Sequence, residues 1–290
     1  MDIESKPAFG VAASFSGRRW VMRDADGSAL ALKFGLSDIL ARLLAVRGIG
    51  EDKVAETLEP TLKRLMPEPL TLAGMDAAVA RTKRAIETGE RIAVFGDYDV
   101  DGSCSAALLN DFLKALGVVP RLYIPDRMAE GYGPNAAAMQ RLKAEGASLA
   151  ITADCGATAV DALAAAKAAG LDVIVLDHHA AATDPPCVVQ VNPNKPGDTS
   201  GQGHLCAAGV VFLFLVALNR ALREAGHYEG RKEPDLREGL DLVALATVCD
   251  VVPLIGVNRA FVRAGLVRLS KLARPGLKAL AMTAGAAPPF

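Results

Sequence analysis

No two cysteines in this chain stand close together. Cys104, Cys155, Cys187, Cys206 and Cys249 are dispersed without a Cys-x-x-Cys pair. Such an odd, scattered set supports neither a zinc knuckle nor a disulfide framework, and a reducing cytoplasmic compartment is expected. Long hydrophobic runs are missing too. The longest, Ala207 to Leu218, has 12 residues, short of the roughly 20 that span a bilayer, so it reads as a buried helix and no membrane association is expected. Met1-Asp-Ile-Glu-Ser-Lys6 lacks a basic region followed by an apolar stretch, so no secretory signal is visible. Charge of one sign is absent as well: the net value of −1 excludes a uniformly basic nucleic-acid coat while leaving room for a local basic groove. Aromatic residues make up only 5%. With so much alanine, the core should be built from closely packed helices.

The chain is long enough for one large or two modest domains. Residues 1–72 read as a helical lead-in. Trp20-Val-Met-Arg23 suggests a short strand, while Ser37 caps a helical pattern that Gly48 ends and Glu51–Leu58 suggests another helix. Pro60, Pro67 and Pro69 then break the pattern. From residue 73 to 253 the rhythm changes to short runs rich in Val, Ile and Ala alternating with helical segments. Helices are expected over Asp76–Thr88, Ser103–Leu116, Asn135–Glu145 and Thr158–Ala169, each followed by glycine, with a strand in Pro120–Pro125. This alternation predicts an α/β fold, mainly a parallel sheet with helices on both faces. Pro185–Gly203 reads as a surface loop and Cys206–Glu224 as a buried helix. Residues 254–290 begin a basic amphipathic helix, and the Arg259, Arg263, Arg268 and Lys271 face is expected to be solvated.

Four apolar runs end in acids. Arg91–Gly96 is followed by Asp97-Tyr98-Asp99-Val100-Asp101-Gly102, Ser148–Ala153 by Asp154, Leu171–Leu176 by Asp177-His178-His179, and Val243–Cys249 by Asp250. The last run is rich in Ala and Leu and could equally be a helix. Ligands of open parallel sheets bind outside the carboxyl ends of the strands. Acids gathered there repel one another without a cation, and Asp with His but no thiolate suits manganese, magnesium or zinc. Two such ions about 3.5–4 Å apart clamp a phosphoryl group and activate water. Taken singly, each element has a bland explanation. A lone Asp after a strand is usually a cap or turn residue, and Asp-x-Asp-x-Asp-Gly without a distal acid is no calcium loop. Their recurrence in order at consecutive run ends points to a metal-dependent enzyme.

The same residues resemble the DHH phosphoesterase superfamily. Asp177-His178-His179 is similar to its signature, Gly96–Ser103 to its first motif, Asp154-Cys-Gly156 to its second and Asp250-Val-Val-Pro253 to its fourth. Within it, Glu130-Gly-Tyr132-Gly-Pro-Asn135 and Val191-Asn-Pro-Asn194 are similar to a branch of bacterial single-strand-specific DNA exonucleases. The resemblance implies two divalent ions, Mn2+ or Mg2+, held by Asp99, Asp101, Asp154, His178 and Asp250, with Asp154 bridging and His179 contacting the scissile phosphate. Relatives often carry a ligating His where this chain has Phe95, a residue suited to core packing; Asp97 is a candidate to take up that place. Arg127, Tyr132 and Gly133 belong to a loop expected to bind substrate through a phosphate contact and base stacking. The implied activity is 5′ to 3′ hydrolysis of single-stranded DNA in repair and recombination, with a single-strand-binding protein and a helicase as partners. Alternatives are a phosphoesterase of oligonucleotides, cyclic dinucleotides or pyrophosphate, and a non-catalytic replication factor on the same fold. Members of this branch continue into a DHH-associated domain and an oligonucleotide-binding barrel, so this chain is expected to be the catalytic part of a longer protein.

Overall fold

The computed structural model describes residues 7–290; the hexapeptide read above for a signal lies outside them. Two compact units divide between Glu59 and Pro60. In the first, α1 (Ser28–Phe34), α2 (Asp38–Val46) and α3 (Glu51–Leu58) enclose a small core of Leu30, Ala41, Leu44 and Val54. Ser37 caps α2 by accepting from the Leu40 amide. Among the described residues Trp20–Arg23 forms no strand; the backbone bonds there run from the Ala8 amide to the Trp20 carbonyl and from the Trp20 amide to the Val11 carbonyl.

The second unit is built on five parallel strands in the order β2-β1-β3-β4-β5. The chain runs α4 (Leu62–Leu65), α5 (Met75–Glu87), β1 (Ile92–Gly96), α6 (Val100–Ala115), β2 (Arg121–Tyr123), α7 (Ala136–Ala144), β3 (Leu149–Ala153), α8 (Val160–Ala168), β4 (Asp172–Leu176), β5 (Val189–Val191), α9 (Ala207–Glu224), α10 (Leu240–Cys249), α11 (Gly256–Leu269) and α12 (Pro275–Thr283). The expected α/β class is what forms. Strand β5 lies inside the stretch read as a loop. Its three residues are too few to show a period in sequence, and pairing with β4 is what makes them a strand.

Side chains alternate across the sheet as a two-residue period requires. Ile92, Val94, Leu149, Ile151, Ile174 and Leu176 join one core with residues of α5, α6, α9, α10 and α11. Ala93, Phe95, Ala150, Val173 and Val175 join a second with Met139 and Leu142 of α7 and Leu163 of α8. With both faces covered, the central strands read as unbroken apolar runs. Phe95 is fully buried and stacks on Tyr123 with ring centroids 5.2 Å apart, so this position packs the core.

Register decides where the acids fall. Gly96 pairs with Ala153 and Ala153 with Leu176, so the next residues, Asp97, Asp154 and Asp177, emerge side by side. Their amides extend the ladder by one rung, each bonding the carbonyl of the adjacent strand at 3.3, 3.0 and 3.1 Å. Because the chain steps from β1 to β2 on one side and onward to β3 on the other, the crevice of the topological switch opens between β1 and β3. Asp97 and Asp154 stand there.

Candidate metal centre

Each acid reaches the centre by a different local device. Asp97 is buried, and neither of its carboxylate oxygens has a hydrogen-bond partner. Asp99 is the N-cap of α6, its Oδ1 accepting from the Gly102 amide at 2.9 Å. The helix therefore starts at Val100, three residues earlier than expected, and Asp101 lies in its first turn. Gly102 is needed because a Cβ there would sit 2.6 Å from the Asp97 amide nitrogen. Asp101 is buried, and its two oxygens accept from the Ala207 and Ala208 amides at 2.6 and 2.8 Å. Those are the first amides of α9, so a helix N-terminus with its partial positive charge holds this carboxylate.

Asp154 takes a left-handed backbone, φ 63°, a conformation that costs a non-glycine residue about 1–2 kcal/mol. It aims the carboxylate back over the sheet edge. Asp250 is the C-cap of α10, so the fourth run is a helix. Helix geometry rather than a strand end presents this acid, and the exposed Val251 that follows it is also left-handed, φ 58°.

These groups converge on His178. Its Nε2 lies 3.3 Å from Asp154 Oδ1, 3.7 Å from Asp250 Oδ2 and 3.8 Å from Asp101 Oδ2. Neither this nitrogen nor the Asp154 Oδ1 and Asp250 Oδ2 atoms has a hydrogen-bond partner. Buried polar atoms normally do, and so many orphans facing one another mark a cation site. Ligand atoms within 4.8 Å of one another form the sets Asp97–Asp99–Asp154, Asp101–His178–Asp250 and Asp154–His178–His179. Two subsites sharing Asp154 fit this arrangement, all oxygen and imidazole donors without thiolate, suited to hard or borderline divalent ions. Burial pushes Asp154 up to about 10, reinforced by the Asp101 and Asp99 charges, and pushes Asp101 up to about 6. Burial likewise raises Asp97 and Asp250. Bound divalent charge would reverse these shifts.

Asp177, the first residue of the Asp-His-His run and not among the expected ligands, organises the site. Buried itself, it accepts at Oδ1 from the His178 and His179 amides at 2.7 and 3.1 Å and pairs with His179 Nδ1 at 2.7 Å; its Oδ2 accepts from the Ala157 amide at 2.9 Å. Burial alone would raise this carboxyl, but these donors bring it below its usual value. In turn the Asp177 bond raises His179. Asn194 Nδ2 donates to the His178 carbonyl at 2.6 Å and Asn192 Nδ2 to the His179 carbonyl at 2.8 Å. Asp177, Asn192 and Asn194 all stand in motifs visible in the sequence, and the hydrogen bonds of the fold give them their supporting roles.

The loop between β2 and α7 closes one side. The Tyr132 hydroxyl donates to the Asp154 carbonyl at 3.1 Å and lies 3.4 Å from His179 Nε2. The Arg127 guanidinium covers the Tyr98 ring at 5.4 Å, and Tyr98 meets Tyr132 edge to face. Gly133, buried beside Cys155 with φ 71°, lets the loop turn in. The five candidate acids, His178 and His179 therefore gather at one centre, Tyr132 borders it through the Asp154 carbonyl, and Arg127 is linked to that loop through the Tyr98 ring. On the basic face of α11 and the turn that follows it, Arg259, Arg263 and Lys271 are exposed as expected, whereas Arg268 is partly buried and paired with Glu238 and Asp235.

Residues 91–247 match the DHH family, N-terminal domain, more than half of the chain. The chain belongs to the DHH family. It is 37% identical over 274 residues to the single-stranded-DNA-specific exonuclease RecJ of Bacillus subtilis, covering 93% of this chain and 33% of the relative. Against RecJ of Salmonella typhimurium it is 40% identical, covering 89% and 45%. Thus the chain spans a third to just under half of these curated relatives. The crystal structure of RecJ from Thermus thermophilus in complex with Mn2+ superposes with a TM-score of 0.70 at 33% identity, over 90% of this chain and 36% of that one. A second structure, exonuclease RecJ bound to manganese, gives 0.64 at 39% identity, over 74% and 52%. These DHH-family structures carry a divalent ion of the kind to which the donor set here is suited.

Proposed function

We propose that this chain is the catalytic part of a metal-dependent exonuclease that hydrolyses single-stranded DNA from the 5′ end, with the catalytic domain at 73–253 and the start of a connecting helix at 254–290. The observation that carries the reading is the convergence of Asp97, Asp99, Asp101, Asp154 and Asp250 with His178 as two orphan-rich subsites sharing Asp154. Bound divalent ions would polarise the phosphoryl group and lower the pKa of water. The chain's own groups do the rest. His179, its Nδ1 locked on Asp177, holds Nε2 beside the Tyr132 hydroxyl, where it would donate to a non-bridging phosphate oxygen. Arg127 supplies a bidentate phosphate contact, and the half-exposed Tyr132 ring a face for the terminal base. A base stacked in a duplex cannot offer that face, which favours single strands. Similarity to the single-stranded-DNA-specific exonucleases supports the single-strand substrate; the 5′ to 3′ direction, a single-strand-binding protein and a helicase as partners, and a cytoplasmic location belong to the same proposal. Among the described residues no helix is long and apolar enough to cross a membrane.

The test mixes the protein and Mn2+ with single strands labelled at one end or the other. Mononucleotide release from the 5′ label first, with duplex resistant, is expected. Equal release from both ends or faster attack on duplex would refute the reading, and faster turnover of a dinucleotide would assign the site to short oligonucleotides.

A further inference from the structure

Asp101 and Asp250 complete one subsite with His178, yet they stand on helices α6 and α10, far apart in sequence. Something must set the distance between them, since carboxylate–metal bonds of about 2.0–2.2 Å tolerate little drift. Asp101 is located by the first amides of α9. Asp250 is located by the turn that follows α10, where Val251 is held in a left-handed conformation it would not choose. One side chain joins the two supports. Asn258 of α11 is wholly buried, and its Nδ2 donates to the His204 carbonyl at 2.6 Å and to the Pro253 carbonyl at 3.0 Å. His204 lies two residues before Cys206, the N-cap of α9. Pro253 lies three residues after Asp250. A second, looser tie runs alongside: Cys206 Sγ approaches Thr247 Oγ1 at 3.6 Å.

We infer that Asn258 is a positioning residue for the metal centre, clamping the α9 N-terminus to the turn after Asp250 and so fixing the Asp101–Asp250 spacing. The inference rests on the metal-binding reading above. Asn258 lies beyond residues 91–247, the family match, and touches no ligand directly. Its amide supplies both donors from one rigid plane to two carbonyls on separate segments. An aspartate of the same shape offers no such donors and sets a carboxylate against both carbonyls.

The experiment compares wild type with Asn258→Asp and Asn258→Ala by calorimetric titration of the metal-free protein with MnCl2, and by the electron paramagnetic resonance of the Mn2+-loaded forms. Circular dichroism confirms the fold. Wild type should take up two ions that give an exchange-coupled spectrum. The variants should lose at least tenfold in affinity for one ion, keep the other within about twofold, and show the six-line signal of an isolated Mn2+. If Asn258→Asp does not fold, Asn258→Ala alone decides. Two unchanged binding steps in a folded variant, or equal weakening of both, would overturn the role of Asn258 while leaving the metal centre standing. No Mn2+ uptake by wild type would instead overturn the metal-binding reading beneath it.

Discussion

Replacing Asp177 by Asn tests whether the first acid of the Asp-His-His motif organises the site. The asparagine keeps the shape but has one acceptor instead of two. If its oxygen stays where Oδ1 was, the three donors of His178 and His179 are kept, and the new amide faces the Ala157 N–H, donor against donor. One charge-assisted bond, about 1.5–3 kcal/mol, is then lost and a buried donor orphaned at about 1–3 kcal/mol. The His179 side chain is 47% exposed, so its ion pair with Asp177 is solvent-screened and adds less than about 1 kcal/mol. A loss of about 3 kcal/mol is therefore expected, chiefly from the buried amides. The pH window follows from the two shifts. Asp177 lies below its usual 3.8, so its contribution is present above that value and lost as pH falls through the folded one. His179 lies above its usual 6.5, so its contribution is present below that value and lost as pH rises through the folded one. The difference between wild type and variant should thus be greatest between about pH 4 and 6.5. Urea unfolding of metal-free protein at several pH values measures the first quantity, and imidazole NMR titration should show the His179 pKa falling in the variant. A His179 titration identical to wild type, together with a stability change under about 1 kcal/mol, would refute the argument.

Three further perturbations probe the same construction. Asp154→Asn should stabilise the metal-free protein by at least about 1 kcal/mol at pH 8, with less gain at pH 5. The buried carboxyl, raised towards about 10, penalises folding increasingly as pH climbs above 3.8; Mn2+ affinity should fall at least a hundredfold in the same variant by calorimetry, and destabilisation at both pH values would contradict this. Gly102→Ala should cost about 3 kcal/mol, because its Cβ meets the Asp97 backbone rather than a movable side chain; an unchanged thermal midpoint would count against the close approach. Val251→Gly should add about 1 kcal/mol of stability by relieving the left-handed strain, with little packing lost because Val251 is 85% exposed. A lower midpoint in a thermal melt would show that the strain is absent.

Much of the fold can be read along the chain. Strands covered on both faces leave continuous apolar runs, and Gly117, Gly146 and Gly170, all at positive φ, end helices where a left-handed residue is needed. In-register parallel pairing then places the residues after three such runs side by side, so Asp97, Asp154 and Asp177 at one edge followed from local pattern alone. Asp250 did not follow so simply. Its run is helical because Ala and Leu dominate it, and the packing of α10 against α11, α6 and α9 brings its C-terminus to the centre. Nor could local pattern assign the supports. Asp101 is held by amides 106 residues away, Asp177 works through four short bonds, and Asn258 bridges two segments that no periodicity connects. Residue type and strand period determined which groups could meet a metal. Long-range hydrogen bonds, whose free energy depends on orientation and burial, decided which oxygens are left without partners to hold it.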